Sequence, residues 1–186
     1  MNRMAILAVL AIPLICPLTR ATTRVEITKT DFTKMETIRS TEMEVFGVGL
    51  GDLMEDSKKK LRDAGLVLKE GAPSPESCAV FDAHQTELLV LDSHEGRIKK
   101  IALFDGISRF LAGNAKQLYD LSITEADSSI RLVLLGREDK RTVERNSIGS
   151  IVSCSYDREG IRVIRSFSQY GDAAPVIHLV PPARSR

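Results

Sequence analysis

The sequence predicts an α+β fold of two helix-plus-antiparallel-meander repeats, forming one sheet covered by helices on one face. Three observations predict it. The chain reads twice in the same order, with Leu50 and Ile123, Cys78 and Cys154, and Ile101 and Ile177 standing about 73 to 76 positions apart, a period that fits one supersecondary unit per copy. Each copy passes from a short apolar run into a helically spaced segment that stops at a glycine, Gly65 in the first and Gly136 in the second. Each then gives three strand-like runs parted by turn residues.

Residues 1–21 read as a secretory signal peptide: Asn2 and Arg3, an apolar run over 4–16, then the small-residue exit Thr19, Arg20, Ala21. The run is about a dozen residues, short of the roughly 20 that cross a bilayer, so the reading includes no transmembrane span in the mature chain. Acylation at Cys16 is disfavoured by Pro13, Leu14 and Ile15 ahead of it, where a lipidation signal wants a small residue. Cleavage after Ala21 places the mature protein in the periplasm or outside the cell. It also removes Arg3 and Arg20 and turns the formal charge of +1 into −1. A near-neutral body lacks the basic excess that nucleic acid requires.

The N-terminal segment, 22–44, opens with the strand-like VEIT at Val25 and continues as DFTKMETI, which fits a helical turn or a second strand. Repeat 1 spans 45–104. Val45, Phe46, Val48 and Leu50 make its first strand, Asp52 is placed to N-cap a helix, Leu53, Leu61 and Ala64 share the apolar face, and Gly65 ends it. The polar linker GAPSPES follows, then strand-like runs at 78–81, 87–91 and 97–104. Residues 105–118 form a connecting helical segment, with Ile107, Phe110 and Leu111 at helical spacing and a bend at Gly113-Asn114.

Repeat 2 spans 119–181. Thr124 is its N-cap with Asp127 in the capping-box position, and Ile130, Val133 and Leu134 form the buried stripe. REDKRTVERNS, from Arg137, reads as a polar linker, and the strand-like runs lie at 151–156, 161–166 and 176–180. Residues 182–186 are a tail. Trp is absent, so Leu, Ile and Val must build the core.

Cys78 and Cys154 remain after the signal and hold the same place in their repeats, each preceded by Ser and followed by an aromatic-Asp pair. An even pair in an oxidising compartment is a disulfide candidate. Closing a loop of that length would add about 4 kcal/mol on the chain-entropy model. Two buried thiols filling equivalent core positions is the alternative.

No set of residues converges on a reaction. GVGLGD, with Gly47, Gly49 and Gly51 between a strand and a helix, lacks the third glycine of the dinucleotide fingerprint, where Asp52 stands, and Glu55 and Asp56 would repel a phosphate. His84 and His94 each sit in an Asp-x-His setting but flank one strand, whose length separates them, and His178 reads as a sheet residue. Ser150 lacks a nucleophile-elbow context. Glu125 with Asp127, and Glu138 with Asp139, fall in cap or linker positions, and Lys58, Lys59, Lys60 and Arg62 form a solvated helix face. The chain is thus read as non-catalytic, with no cofactor and no metal site.

The pattern apolar-x-Leu-Gly-Asp, amphipathic helix, glycine stop and meander resembles the module of the small outer-membrane assembly lipoproteins and of the tandem-repeat β-lactamase-inhibitor proteins. VFGVGLGDLMEDSKKKLRDAG carries the resemblance, with LSITEADSSIRLVLLG as a weaker second copy. With the meanders that follow them, the resemblance covers about half of the mature chain, which departs from the pattern by lacking a lipidation signal and the second set of glycines. The resemblance implies a protein-binding function, adaptor- or inhibitor-like, with another envelope or secreted protein as partner. A small-molecule or lipid-binding periplasmic protein, holding its ligand between the repeats, and an enzyme of unknown class are the competing expectations.

Overall fold

A computed structural model describes residues 24–29, 39–111, 138–147, 149–168 and 173–183. Its dominant feature is an eight-stranded antiparallel sheet in the order β4-β5-β6-β7-β11-β10-β9-β8. The strands are β4 (Val67–Glu70), β5 (Ser77–Phe81), β6 (Glu87–His94), β7 (Arg97–Leu103), β8 (Lys140–Asn146), β9 (Gly149–Tyr156), β10 (Ile161–Ser168) and β11 (Val176–Leu179). A smaller three-stranded sheet of β1 (Val25–Glu26), β2 (Met43–Val45) and β3 (Val48–Gly49) lies with one helix, α1 (Met54–Asp63).

This architecture corrects the α+β expectation of two helix-plus-meander repeats under a cover of helices. The fold is mostly β. Each half of the large sheet is a four-stranded meander, and the two meet strand to strand where Leu103, Ala102 and Ile101 of β7 face Ile177, His178 and Leu179 of β11. Among the described residues α1 is the only α-helix. The expected signal peptide and the expected helix of repeat 2, with Thr124, Asp127, Ile130, Val133, Leu134 and Gly136, lie outside the described residues.

The runs at 78–81, 87–91, 97–104, 151–156, 161–166 and 176–180 all fall on strands, because short apolar runs, continuous where both faces are buried and alternating where one is not, suit a pleated sheet. Two stretches not read as strands are strands as well: VLKE, ahead of the linker GAPSPES, becomes β4, and KRTVERN, within the expected linker REDKRTVERNS, becomes β8, the two edges of the sheet. Their charged side chains are what an edge needs to discourage pairing with another chain.

The expected single strand at Val45, Phe46, Val48 and Leu50 is a tight hairpin. Phe46 and Gly47 both have positive φ, 52° and 72°, the geometry of a two-residue type I′ turn between β2 and β3. Asp52 does not cap α1 either; Leu53 holds the N-cap position without a side-chain bond. The helix is instead pinned by Met54 N–H donating to the Gly96 carbonyl (2.8 Å), beside the reciprocal segment bonds Gly51 N–H to Ile98 O and Ile98 N–H to Asp52 O. Gly65, at φ 78°, ends α1 with Leu66 N–H on Leu61 O and Gly65 N–H on Arg62 O, the paired bonds of a Schellman motif.

The core lies on one face of the large sheet. Cys78, Val80, Leu89, Leu91, Ile101, Leu103, Leu179, Ile177, Ile161, Val163, Val152, Cys154 and Tyr156 pack there against Met54 and Leu61 of α1 and against Met43, Val45 and Val48 of the small sheet. Each fully buried Leu or Ile contributes roughly 1.5–3 kcal/mol by leaving water. The C-terminal end is tied in by Ser40, whose N–H donates to Glu159 O and whose Oγ donates to Val180 O, while Val180 N–H donates to Gly160 O.

Candidate functional site

The opposite, outer face of the large sheet gathers only residues of the sheet and its flanks among the described residues. Its apolar cluster consists of Ala79, Val90 and Ala102 with Phe81, Phe104 and Val176 packed beside them. Side chains directly across from one another on neighbouring strands share a face, so the registers define rows running across the sheet.

One row crosses all eight strands. It runs from Lys69 on β4 through Ala79, Val90, Ala102, His178, Arg162 and Ser155 to Lys140 on β8. It contains no acidic residue. Ala79, Val90, Ala102 and Ser155 are buried, overlooked by Phe81, Phe104, Val176 and Ile164 on one side and by Ser77, Asp92 and Lys100 on the other. The row thus has a buried apolar middle, Ala79, Val90 and Ala102, and exposed cations at Lys69, Arg162 and Lys140.

Charge along the row is set by a few contacts. Lys100 is neutralised by Asp92, which it faces across the β6–β7 pair at 2.5 Å and which also accepts from Ser77 Oγ. These donors hold the Asp92 carboxyl below its ordinary range against the opposing effect of burial. Arg162 donates from Nε to Ser155 Oγ at 3.2 Å. Among the described residues, Arg162, Lys140 and Lys69 form no ion pair. His178 sits between Lys100 and Arg162; burial first, then those two cations, lower its pKa to about 4, with Asp92 opposing. At neutral pH the imidazole is therefore neutral, able to donate and accept one hydrogen bond.

Other sequence candidates are occupied or dispersed. In GVGLGD the amides that a phosphate would use are already bonded: Gly47 N–H to Glu26 Oε2 at 2.8 Å and Gly49 N–H to Asp52 Oδ2 at 3.0 Å. Asp52 is itself paired with Arg24 at 2.6 Å. Beside α1 an open cavity of about 260 Å³ is lined by Met54, Glu55, Lys58, Glu70 and Glu76, among others. Its central cation, Lys58, is held by Glu55 and Glu70 at 2.7 Å each, and those bonds raise its pKa.

The histidines do not converge. His84 belongs to the turn after β5, where Asp82 accepts from its backbone N–H at 2.9 Å. His94 ends β6 opposite Arg97, and His178 lies in mid-sheet. Among the described residues no group of three or more His, Cys, Asp or Glu comes together, and no helix is long and apolar enough to cross a membrane. Glu138 pairs with Arg141, and Asp139 accepts from Asp157 N–H; Glu125 and Asp127 lie outside the described residues.

The disulfide candidate is corrected. Cys78 and Cys154 are separate thiols, on β5 and β9. Five strand spacings part them in the sheet order, about 24 Å at 4.8 Å each, whereas a disulfide needs Cα atoms within about 7 Å. Both are fully buried, and burial raises the Cys78 thiol pKa, so the alternative of two buried core thiols describes them.

Sequence reasoning passed over Lys69, Lys100, Lys140, Ser155 and Arg162. Lys100 in RIKKIAL, Arg162 in GIRVIRS and His178 in PVIHLV each interrupt an apolar strand on the face away from the core residues, and that shared parity was the available signal. Only the strand order shows that these residues fall near one another. Comparison with family models, with curated proteins and with solved structures gives no match to the chain.

Proposed function

We propose that this protein is a non-catalytic protein-binding module of the bacterial cell envelope, adaptor- or inhibitor-like, that docks its partner on the outer face of the large sheet. The observation that carries the reading is the half-buried apolar group Phe81, Phe104 and Val176 on that face, beside the exposed polar residues of the Lys69 to Lys140 row. Apolar area beside polar groups that keep donors available is the make-up of a protein interface. A ligand held between the two halves is less favoured, because β7 and β11 join there by register pairing and leave no cleft at the seam.

The test is capture of partners from envelope extract with residues 22–186, compared with two variants. Ile151→Arg combined with Arg162→Glu alters the outer face, and Lys59→Glu alters the exposed side of α1. A stoichiometric protein held by the parent and by Lys59→Glu, but lost by the outer-face variant, is the expected result. A protein held equally by all three would place docking elsewhere, and recovery of a lipid or small molecule alone would replace the reading with a carrier.

A further inference from the structure

We infer that the free edge of the large sheet at β8 pairs with β8 of a second copy of this chain, joining two eight-stranded sheets into one across a two-fold axis. Among the described residues nothing pairs with the side of β8 away from β9, and every second residue of such an edge presents an unpaired N–H and C=O outward. Two of the four exposed large aliphatic residues lie here, Val143 on β8 and Ile151 beside it on β9. Opposite Lys140 to Arg145, β9 sets no charged side chain: it supplies Ser155, Ser153 and Ile151 on one face and Cys154, Val152 and Ser150 on the other. Arg141 is neutralised by Glu138 at 3.2 Å, and Asp139 accepts a backbone N–H from Asp157. Asp139, Lys140, Glu144 and Arg145 are exposed and form no ion pair among the described residues.

Symmetry and charge together select one register. A two-fold pair of antiparallel strands sets one residue opposite its own copy and keeps the faces matched. Centring on Lys140, Arg141, Glu144 or Arg145 would set like charge on like, and centring on Val143 would set Arg141 on Arg145. Centring on Asn146 would leave most of the strand unpaired. Centred on Thr142, Lys140 faces Glu144 and Asp139 faces Arg145, each twice, with Cα atoms about 4.5–5.5 Å apart. All four pairs are of opposite sign. Val143, half exposed, then meets the stem of Arg141, which covers it. Residues 138–146 carry three acidic and three basic side chains, so the paired segments do not repel in sum. Edge charges ordinarily discourage pairing; these bar every register but one. The axis stands perpendicular to the sheet, so both outer faces turn the same way, and the inference holds whatever docks there.

Sedimentation equilibrium of the protein purified from its cells should show a reversible dimer that weakens with added salt. Lys140→Glu alone and Glu144→Lys alone should each weaken it about tenfold or more, because both Lys140–Glu144 contacts become like-charged. The two variants mixed should associate with each other as tightly as the parent does with itself, since each supplies the charges that the other lacks. On oxidation Thr142→Cys should yield a disulfide-linked dimer, whereas Val143→Cys should not, its copy standing about 8 Å away. Far-ultraviolet circular dichroism like the parent's shows that the variants fold. A parent that stays monomeric up to its solubility limit, a dimer indifferent to both charge reversals, a mixture that fails to associate, or linkage through Val143→Cys instead would overturn the inference.

Discussion

Cys78 and Cys154 occupy equivalent places in the two meanders, the second strand of each, and both point into the core from opposite wings of the sheet. Their positions follow from strand order: β7 and β11 sit at the centre, so β5 and β9 lie well out on either side. Both cysteines therefore serve as small apolar fillers. Reductant should leave the melting temperature and the electrophoretic mobility unchanged, and Cys78→Ala should cost about 1 kcal/mol through the lost sulfur contacts. A mobility shift on reduction of the monomer would contradict the strand order itself.

Gly160 is the most constrained glycine. Its φ is +69°, and an added Cβ would overlap the Val180 carbonyl oxygen and Ser40 Oγ. Gly160→Ala should destabilise by about 3 kcal/mol or more, since backbone strain and displacement of a buried hydrogen-bonded knot add together. Gly65→Ala meets open space at φ +78° and should cost only about 1 kcal/mol. Chemical denaturation of the two variants separates these outcomes.

His178 gives stability a pH dependence of definite sign. The folded imidazole takes up its proton only near pH 4, against 6.5 for an unperturbed one, so between those values the unfolded chain binds more protons. The contribution is complete above about pH 6.5 and is lost as pH falls toward 4. Allowing for water on its open side, about 1–2 kcal/mol should disappear over that interval. His178→Gln should flatten this part of the denaturation profile, and an unchanged slope would show that the ring is solvated.

The expected signal peptide makes a further prediction. N-terminal sequencing of the protein recovered from outside the cytoplasm should begin at Thr22. A product lipidated at Cys16 would overturn both the cleavage site and the disfavoured place given to acylation.

The interior strands were legible because they are short apolar runs bounded by turn residues, continuous in CAVF and ELLVL, where both faces are buried, and broken by one outer-face residue in VIHL. The edges were not. β8 reads KRTVERN because an edge strand beyond the core has little to bury, and Val143, half exposed, is its only aliphatic residue. The hairpin at Phe46-Gly47 was hidden because a type I′ turn is ordinarily advertised by Asn-Gly or Asp-Gly, and phenylalanine at φ 52° gives no such warning. Asp52 could bond forward to a helix or back to Gly49, and the ion pair with Arg24, distant in sequence, goes with the backward choice. The row across the sheet was illegible for a broader reason: its eight residues come from eight strands, and periodicity reports the face of each residue but never its neighbour.

The seam between β7 and β11 also sets the order in which the molecule can be assembled. The last of the described strands, Val176–Leu179, lies in the interior of the large sheet, paired on both sides, while the edges belong to strands that precede it in sequence. Without β11 the two meanders present unpaired inner borders, Ile101 to Leu103 and Ile161 to Ile164. Completion of the sheet thus waits on one strand, the keystone that turns two sticky halves into one continuous surface.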